Sequence, residues 1–130
     1  MAGVPATLSI VKVARPDADI GPTQNPVLTP WPSWEANAIG GDCSGMQYLQ
    51  SMEIDNDGIM WALDVGRVNI FSAGFSGDPD NSCPPKMHFI DVATAEFVEE
   101  AYTFPTGVAS HTSSFLNDLV IDNERQIAYI

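Results

Sequence analysis

Short hydrophobic stretches broken by turn-forming residues run along this chain. Gln47–Ile54 and Ile59–Asp64 flank the tetrapeptide Asp55-Asn56-Asp57-Gly58, in which Gly58 supplies the positive φ of a tight turn, so together they predict a β-hairpin. A second hairpin is predicted over Lys86–Asp91 and Phe97–Phe104, joined by Val92–Glu96 and closed by Pro105 and Gly107. A third spans Phe115–Asp122 and Ile127–Ile130. Thr7–Val13 alternates weakly and is rich in β-branched residues, which suits one further strand at an edge. Arg15–Gly45 carries Pro16, Pro22, Pro26, Pro30 and Pro32, which withhold backbone donors; it is expected to be a long loop pinned by Trp31 and Trp34. Arg67–Phe71 can prolong the first hairpin, and Ser72–Pro85 reads as a loop.

The third hairpin echoes the first. Leu49–Leu63, LQSMEIDNDGIMWAL, matches Leu116–Ile130, LNDLVIDNERQIAYI, so that Ile54, Asp55 and Asn56 fall on Ile121, Asp122 and Asn123 at an offset of 67 residues. A repeat of this kind cannot bury both its faces alone and relies on neighbouring copies. The order inner hairpin, outer hairpin, inner hairpin is what consecutive four-stranded blades of a β-propeller produce. The offset exceeds the roughly 40 to 50 residues of a compact blade, and the loop between Val65 and Pro85 takes up the excess. A β-sandwich could also be built from such hairpins, but it leaves the echo unexplained. Because the second copy stops at Ile130, residues 1–130 are expected to be a slice of a larger ring, truncated at the C-terminus and at the N-terminus, with the remaining blades of the parent chain as partners.

Composition narrows the function. A 45% hydrophobic content is that of a globular chain, and ten Gly with ten Pro cut it into pieces too short for regular helices. Seventeen acidic residues against five basic ones give a net charge of −12, a field that repels phosphate backbones and anionic headgroups. Nucleic-acid and membrane-surface roles are therefore not expected. No apolar run approaches the ~20 residues of a membrane span, and MAGVPATLSIVKV lacks the basic and long apolar regions of a signal peptide.

Chemistry-bearing residues are few. Glu53, Asp55, Asp57, Gly58 and Asp64 follow the positional pattern of a calcium loop, yet the flanks are strand-like and the parallel Asp122-Asn123-Glu124 lacks the glycine, so an acidic hairpin turn is favoured and no metal is expected. His88 alternates with Met87 and Phe89 in a strand and reads as a structural histidine. His111, in ASHTSS, sits before an inner strand and can approach a cavity mouth, although no catalytic triad can be assembled around it. Asn117 and Asp118 open the second inner strand, and Gln50 and Ser51 hold the matching places in the first. Inner strands line a propeller's channel, so these four are ligand-binding candidates, the alternative being that Asn117 and Asp118 hydrogen-bond the backbones of neighbouring blades. Arg67 is expected to be a structural ion-pair partner, with Asp64 the nearest acid. Met46, Met52, Met60, Trp61, Phe71, Phe89, Phe97 and Tyr102 are the expected core. Nothing calls for a cofactor.

The segments WPSWEANAIGGDCSGMQYLQSMEIDNDGIMWALDVGRVN, CPPKMHFIDVATAEFVEEAYTFP and SFLNDLVID, together with GVPATL near the start, resemble the major royal jelly protein/Yellow family. DCSG, LDVGR, CPPK and FLND in this order carry the likeness over nearly the whole chain, weakest at Val11–Val27. The resemblance implies an all-β, partial six-bladed propeller: about two blades of four-stranded antiparallel sheet from a secreted protein of several hundred residues. An even cysteine count in a typically secreted family suggests that Cys43 pairs with Cys83, the alternatives being two free thiols or partners elsewhere. Family activities are diverse, ranging from dopachrome-type conversion to nutrition and amine binding. The expected function is binding of a small aromatic or amine-type ligand in the central channel, where Tyr48 or Phe115 can stack on it. An isomerase or a metal-dependent lactonase is the enzymatic alternative, with Asn117 and Asp118 as the metal ligands it would draw from this chain. An inactive fragment is the third reading.

Overall fold

The computed structural model describes residues 6–12, 27–70 and 80–130. Its strands, in chain order, are β1 (Ser9–Ile10), β2 (Thr29–Pro30), β3 (Leu49–Ile54), β4 (Ile59–Asp64), β5 (Lys86–Asp91), β6 (Glu96–Phe97), β7 (Tyr102–Thr103), β8 (Val120–Asp122) and β9 (Ile127–Tyr129). The one helical element among the described residues is a 3-10 turn, Glu35–Asn37. β3, β4 and β5 follow one another as an antiparallel meander, and β6 and β7 both pair with β5. The last two are pieces of one interrupted outer strand. The sheet is thus a four-stranded antiparallel blade, and β8 with β9 opens the next one. The fold is all-β, with the strand arrangement of a partial propeller.

Both faces of the blade are apolar because both are covered. Side chains alternate across a strand, so Met60 and Ala62 on β4 join Ile90 on β5 on one face, where Leu8, Ala36, Met46, Trp31 and Leu49 complete the cluster. Trp61 and Leu63 point the other way with Met87 and Phe89, in register Trp61↔Phe89 and Leu63↔Met87. Phe104, Ala109, Leu116, Leu119 and Ile121 pack on that second face. The segment 6–12 and the loop after β2 therefore cover β4 and β5 on one side of the sheet, leaving Met52 and Ile54 of β3 exposed, and the second repeat covers the other side.

Two buried amides organise the first covering. Asn37, 2% exposed, accepts from the Leu8 amide through Oδ1 at 2.9 Å and donates through Nδ2 to the carbonyls of Trp31 and Ser33. Gln47, 3% exposed, accepts from the Gly40 amide and donates to the carbonyls of Ala38 and Gly45. An irregular loop must satisfy its backbone somewhere, and here side-chain amides substitute for a ladder.

Several predicted boundaries shift. Of the strand expected over Thr7–Val13, the described residues 7–12 pair only at Ser9–Ile10, and their partner is Thr29–Pro30, inside the expected loop, of which residues 15–26 lie outside the described residues. The first hairpin begins at Leu49 and not Gln47, because the amides of Gln47 and Tyr48 bond the side chain of Asp64 in place of a strand. Arg67–Ile70 does not extend that hairpin: Gly66 turns the chain with φ +75°, and Val68 makes only an isolated bridge to Asp80. Phe97–Phe104 is broken after Phe97, where adjacent exposed Glu99 and Glu100 are carried off the ladder. Trp34 does not pin its loop and is 58% exposed, and Met52, Phe97 and Tyr102 lie at the surface. Met46 and Met60 are core, and Trp61 and Phe89 pack against it. Phe71 lies outside the described residues.

Candidate functional site

The end of β4 carries the most constrained group in the chain. Asp64 is fully buried, and its carboxylate accepts from the amides of Gln47 (2.8 Å), Tyr48 (2.9 Å) and Gly66 (2.9 Å) and from His88 Nε2 at 3.2 Å. Burial pushes its pKa up, but the His88 hydrogen bond and the three backbone donors outweigh that and hold it below the ordinary aspartate value. With the carboxylate ionised, the Nε2 nitrogen of His88 must carry the proton. His88 is the buried structural histidine the strand pattern predicts, 1% exposed. The expected Asp64–Arg67 pair is not formed, since His88 and the three amides take the carboxylate.

Arg67 works elsewhere. Its guanidinium donates to the carbonyls of Thr112 (2.8 Å) and Ser114 (2.6 Å), fastening the loop that holds His111 to the end of β4. Gly66, beside it, passes so close to Cys83 and Pro84 that a Cβ would lie 2.4 Å from the Pro84 carbonyl oxygen. LDVGR is therefore a structural knot: an acid that collects amides, a glycine that crosses a neighbour, and an arginine that ties down a loop.

Gln50 and Ser51, at the start of β3, meet Asn117 and Asp118, which the sequence pattern places at a strand start but which lie in the segment just before β8 (Val120–Asp122). Gln50 Nε2 donates to Asn117 Oδ1 at 3.2 Å, and Ser51 Oγ donates to Asp118 Oδ1 at 2.6 Å. Ser51 and the Leu119 amide hold the Asp118 carboxyl below its ordinary pKa. Farther along, Glu53 Oε2 accepts from the Ile121 amide and Asn56 N–H donates to Asn123 Oδ1. Three of these four links join residues 67 apart, so each residue touches its own repeat mate. Asn56 and Asn123 were not among the sequence candidates, although the same offset marks them. His111 is half-buried on the neighbouring loop; the hydrogen-bonded contacts there belong to Ser110, Thr112 and Ser114.

The acidic turn is turn chemistry. Asp55 Oδ1 accepts from the amides of Asp57 and Ile59, and Oδ2 from Trp61 Nε1 at 2.9 Å. Burial raises its pKa, while the Trp61 bond and the backbone amides lower it by more. The first and last oxygens of the apparent calcium pattern are engaged too, Glu53 by Ile121 and Asp64 by His88 and its amides. Among the described residues no group of three or more His, Cys, Asp or Glu is gathered as metal ligands. The second repeat's turn is one residue longer: Asp122 pairs with Ile127, Gln126 takes φ +53°, and the Asp122 carboxylate accepts from the amides of Glu124 and Arg125.

Cys43 and Cys83 form a disulfide with Cα atoms 5.5 Å apart, tying the Trp-rich loop to the segment before β5. Lys86 Nζ donates to the Cys43 carbonyl beside it.

A sequence profile of the family described as Major royal jelly protein matches residues 49–130. Protein yellow of Drosophila melanogaster and that of Drosophila simulans are each 28% identical to this chain over 120 residues, 92% of it, and that of Drosophila yakuba is 27% identical over the same length. The chain spans about a fifth of the length of these curated relatives. The profile begins at β3 and runs through the whole blade into the second repeat, covering LDVGR, CPPK and FLND, which hold Asp64, Cys83, Asn117 and Asp118, while Cys43, Gln47 and Tyr48 lie before it. The chain belongs to the major royal jelly protein family.

Proposed function

We propose that this chain contributes blades to a secreted Yellow-like propeller that binds a small aromatic or amine-bearing molecule in its central channel. The observation that carries this reading is the pair of side-chain bonds Gln50–Asn117 and Ser51–Asp118, which set four polar residues side by side at the start of β3 and just ahead of β8. In a closed ring these positions face the axis, and the ionised Asp118, exposed and kept below its ordinary pKa, supplies a negative charge for a protonated amine. The net charge of −12 adds to that attraction. Tyr48, half-buried, and Phe115, 39% exposed, are the nearby rings able to stack on a ligand. The disulfide suits an oxidising, extracellular setting.

Isothermal titration of the full-length propeller with dopamine tests the reading. Saturable heat that weakens severalfold in Asp118→Asn is the expected result. No heat at millimolar ligand, or an affinity indifferent to Asp118, rejects it.

A further inference from the structure

The outer strand of the blade is broken, and the break opens a cleft of about 310 Å³. β5 pairs Ile90↔Phe97 on one side of the break and Met87↔Tyr102 on the other, three steps along β5 against five along the outer strand, so two surplus residues loop off the ladder beside His88. Glu99 and Glu100 lie in that excursion and stand exposed at the rim. The remaining walls come from Lys86 and His88 of β5, from the edges of the break, and from Ser44 in the loop that the disulfide ties down. No residue of β3, β8 or β9 lines the cleft, so its opening belongs to the blade's own outer edge.

His88 forms its floor. The side chain is 1% exposed and commits Nε2–H to the Asp64 carboxylate, which leaves a lone pair on Nδ1. No donor among the described residues meets that lone pair. A buried acceptor without a donor is unfavourable, and the cleft is the space from which one can come. Phe97 leans over the same imidazole with ring centroids 5.7 Å apart and is itself 41% exposed. The cleft thus offers a neutral acceptor and an aromatic ring inside and two carboxylates at the rim. Lys86, the lysine of the lining, is turned to the Cys43 carbonyl. Its charge is offset by the neighbouring Asp42, whose carboxyl Ser44 and then Lys86 hold below the ordinary pKa.

We propose that this cleft at the blade's outer edge binds a guanidinium group, of a small molecule or of an arginine side chain. A guanidinium carries five N–H donors in one plane, so it can meet His88 Nδ1 and a rim carboxylate together while its face lies on Phe97. An ammonium is a more strongly hydrated point charge with no face to stack, and a neutral polyol forgoes the attraction of Glu99 and Glu100. The site is separate from the proposed channel: Gln50, Ser51, Asn117 and Asp118 do not line it.

The test is isothermal titration of the full-length propeller with ethylguanidinium. Saturable binding with a dissociation constant of about 1 mM is expected. Ala101→Phe, which fills the cleft from its half-buried lip, should abolish it, and the double variant Glu99→Gln/Glu100→Gln, at exposed positions, should weaken it about fivefold. Asp118→Asn should leave this affinity unchanged. Urea, flat and rich in donors but uncharged, and tetramethylammonium, charged but without donors, should each bind at least about tenfold more weakly. N-acetylarginine amide binding as tightly as ethylguanidinium assigns a free small molecule, and binding at least about tenfold more tightly assigns a peptide arginine. The proposal is overturned if no saturation occurs, if Ala101→Phe or the double variant binds like wild type, if either control ligand binds equally well, or if Asp118→Asn abolishes binding.

Discussion

Replacing Asp64 by Asn keeps shape and volume while removing charge and half of the acceptor capacity. Oδ1 of the wild-type carboxylate serves the amides of Tyr48 and Gly66, and Oδ2 serves Gln47 and His88. An asparagine can keep the first pair through its carbonyl oxygen. Its NH₂ group then faces the Gln47 N–H, donor against donor, and His88 must change tautomer to accept. An orphaned buried amide costs about 1–3 kcal/mol, and each surviving bond loses the strengthening that ionisation gave it. The sum is about 3 kcal/mol, at the lower edge of the about 3–5 kcal/mol for breaking a buried charged pair. With a urea slope of about 1.5–2 kcal/mol/M, the midpoint of unfolding should fall by about 1.5–2 M at pH 7 with the slope unchanged.

The same carboxylate sets the acid response. Its folded pKa lies below the ordinary aspartate value of 3.8, so its stabilisation is fully present above that value and is lost as pH falls through the folded pKa. The gap between wild type and Asp64→Asn should therefore hold steady from pH 7 to about 5 and close below about 4. Urea midpoints measured across this range check both parts. A shift below about 0.3 M at pH 7, or a gap that widens in acid, refutes the account of Asp64 as the collector of these donors.

Two further outcomes follow from the same region. Gly66→Ala puts a Cβ 2.4 Å from the Pro84 oxygen at φ +75°, whereas Gly58→Ala meets φ +82° with open space, so the second should lose about 1 kcal/mol by thermal melting and the first should fail to give a cooperative transition. Reducing the Cys43–Cys83 bridge, which spans a separation of 40 residues, should lower stability by about 4 kcal/mol, read as the difference between urea melts with and without dithiothreitol.

The sequence carried the blade well and its surroundings poorly, for a physical reason. β3, β4 and β5 are flanked by turn residues and alternate across the sheet, so their order and faces follow from local pattern. The echo between Leu49–Leu63 and Leu116–Ile130 marks Gln50 with Asn117 and Ser51 with Asp118 as equivalent positions, but not that their side chains bond each other, which depends on how the repeats pack. Asp64, by contrast, looked like the last residue of a strand or the partner of Arg67. Its true partners come from positions 47, 48, 66 and 88, and no local pattern marks a carboxylate that replaces a missing stretch of ladder. Asn37 and Gln47 were invisible for the same reason: their value lies in carbonyls and amides brought near by the loop itself.

Burial of the repeat mates shows how the blades stack. Leu119 and Ile121 are 5% and 7% exposed, packed on the face of the first blade that holds Leu63, Met87 and Phe104. Met52 and Ile54 occupy the corresponding places in the first repeat, yet they are 53% and 50% exposed. Residue type does not explain the contrast, since all four are large aliphatic side chains at the same points of the same motif. Surroundings do: the second repeat leans on a complete sheet, whereas residues 6–12 and the loop after β2 cover the first repeat's equivalent face over Met60, Ala62 and Ile90 and leave Met52 and Ile54 exposed. Burying such a side chain contributes about 1.5–3 kcal/mol, which the second repeat gains at Leu119 and Ile121 and the first does not gain at Met52 and Ile54. In a two-sheet sandwich the repeats would share one core and the mates would be buried alike. The difference in exposure fits a directional stack in which the second repeat seats on one face of the first sheet.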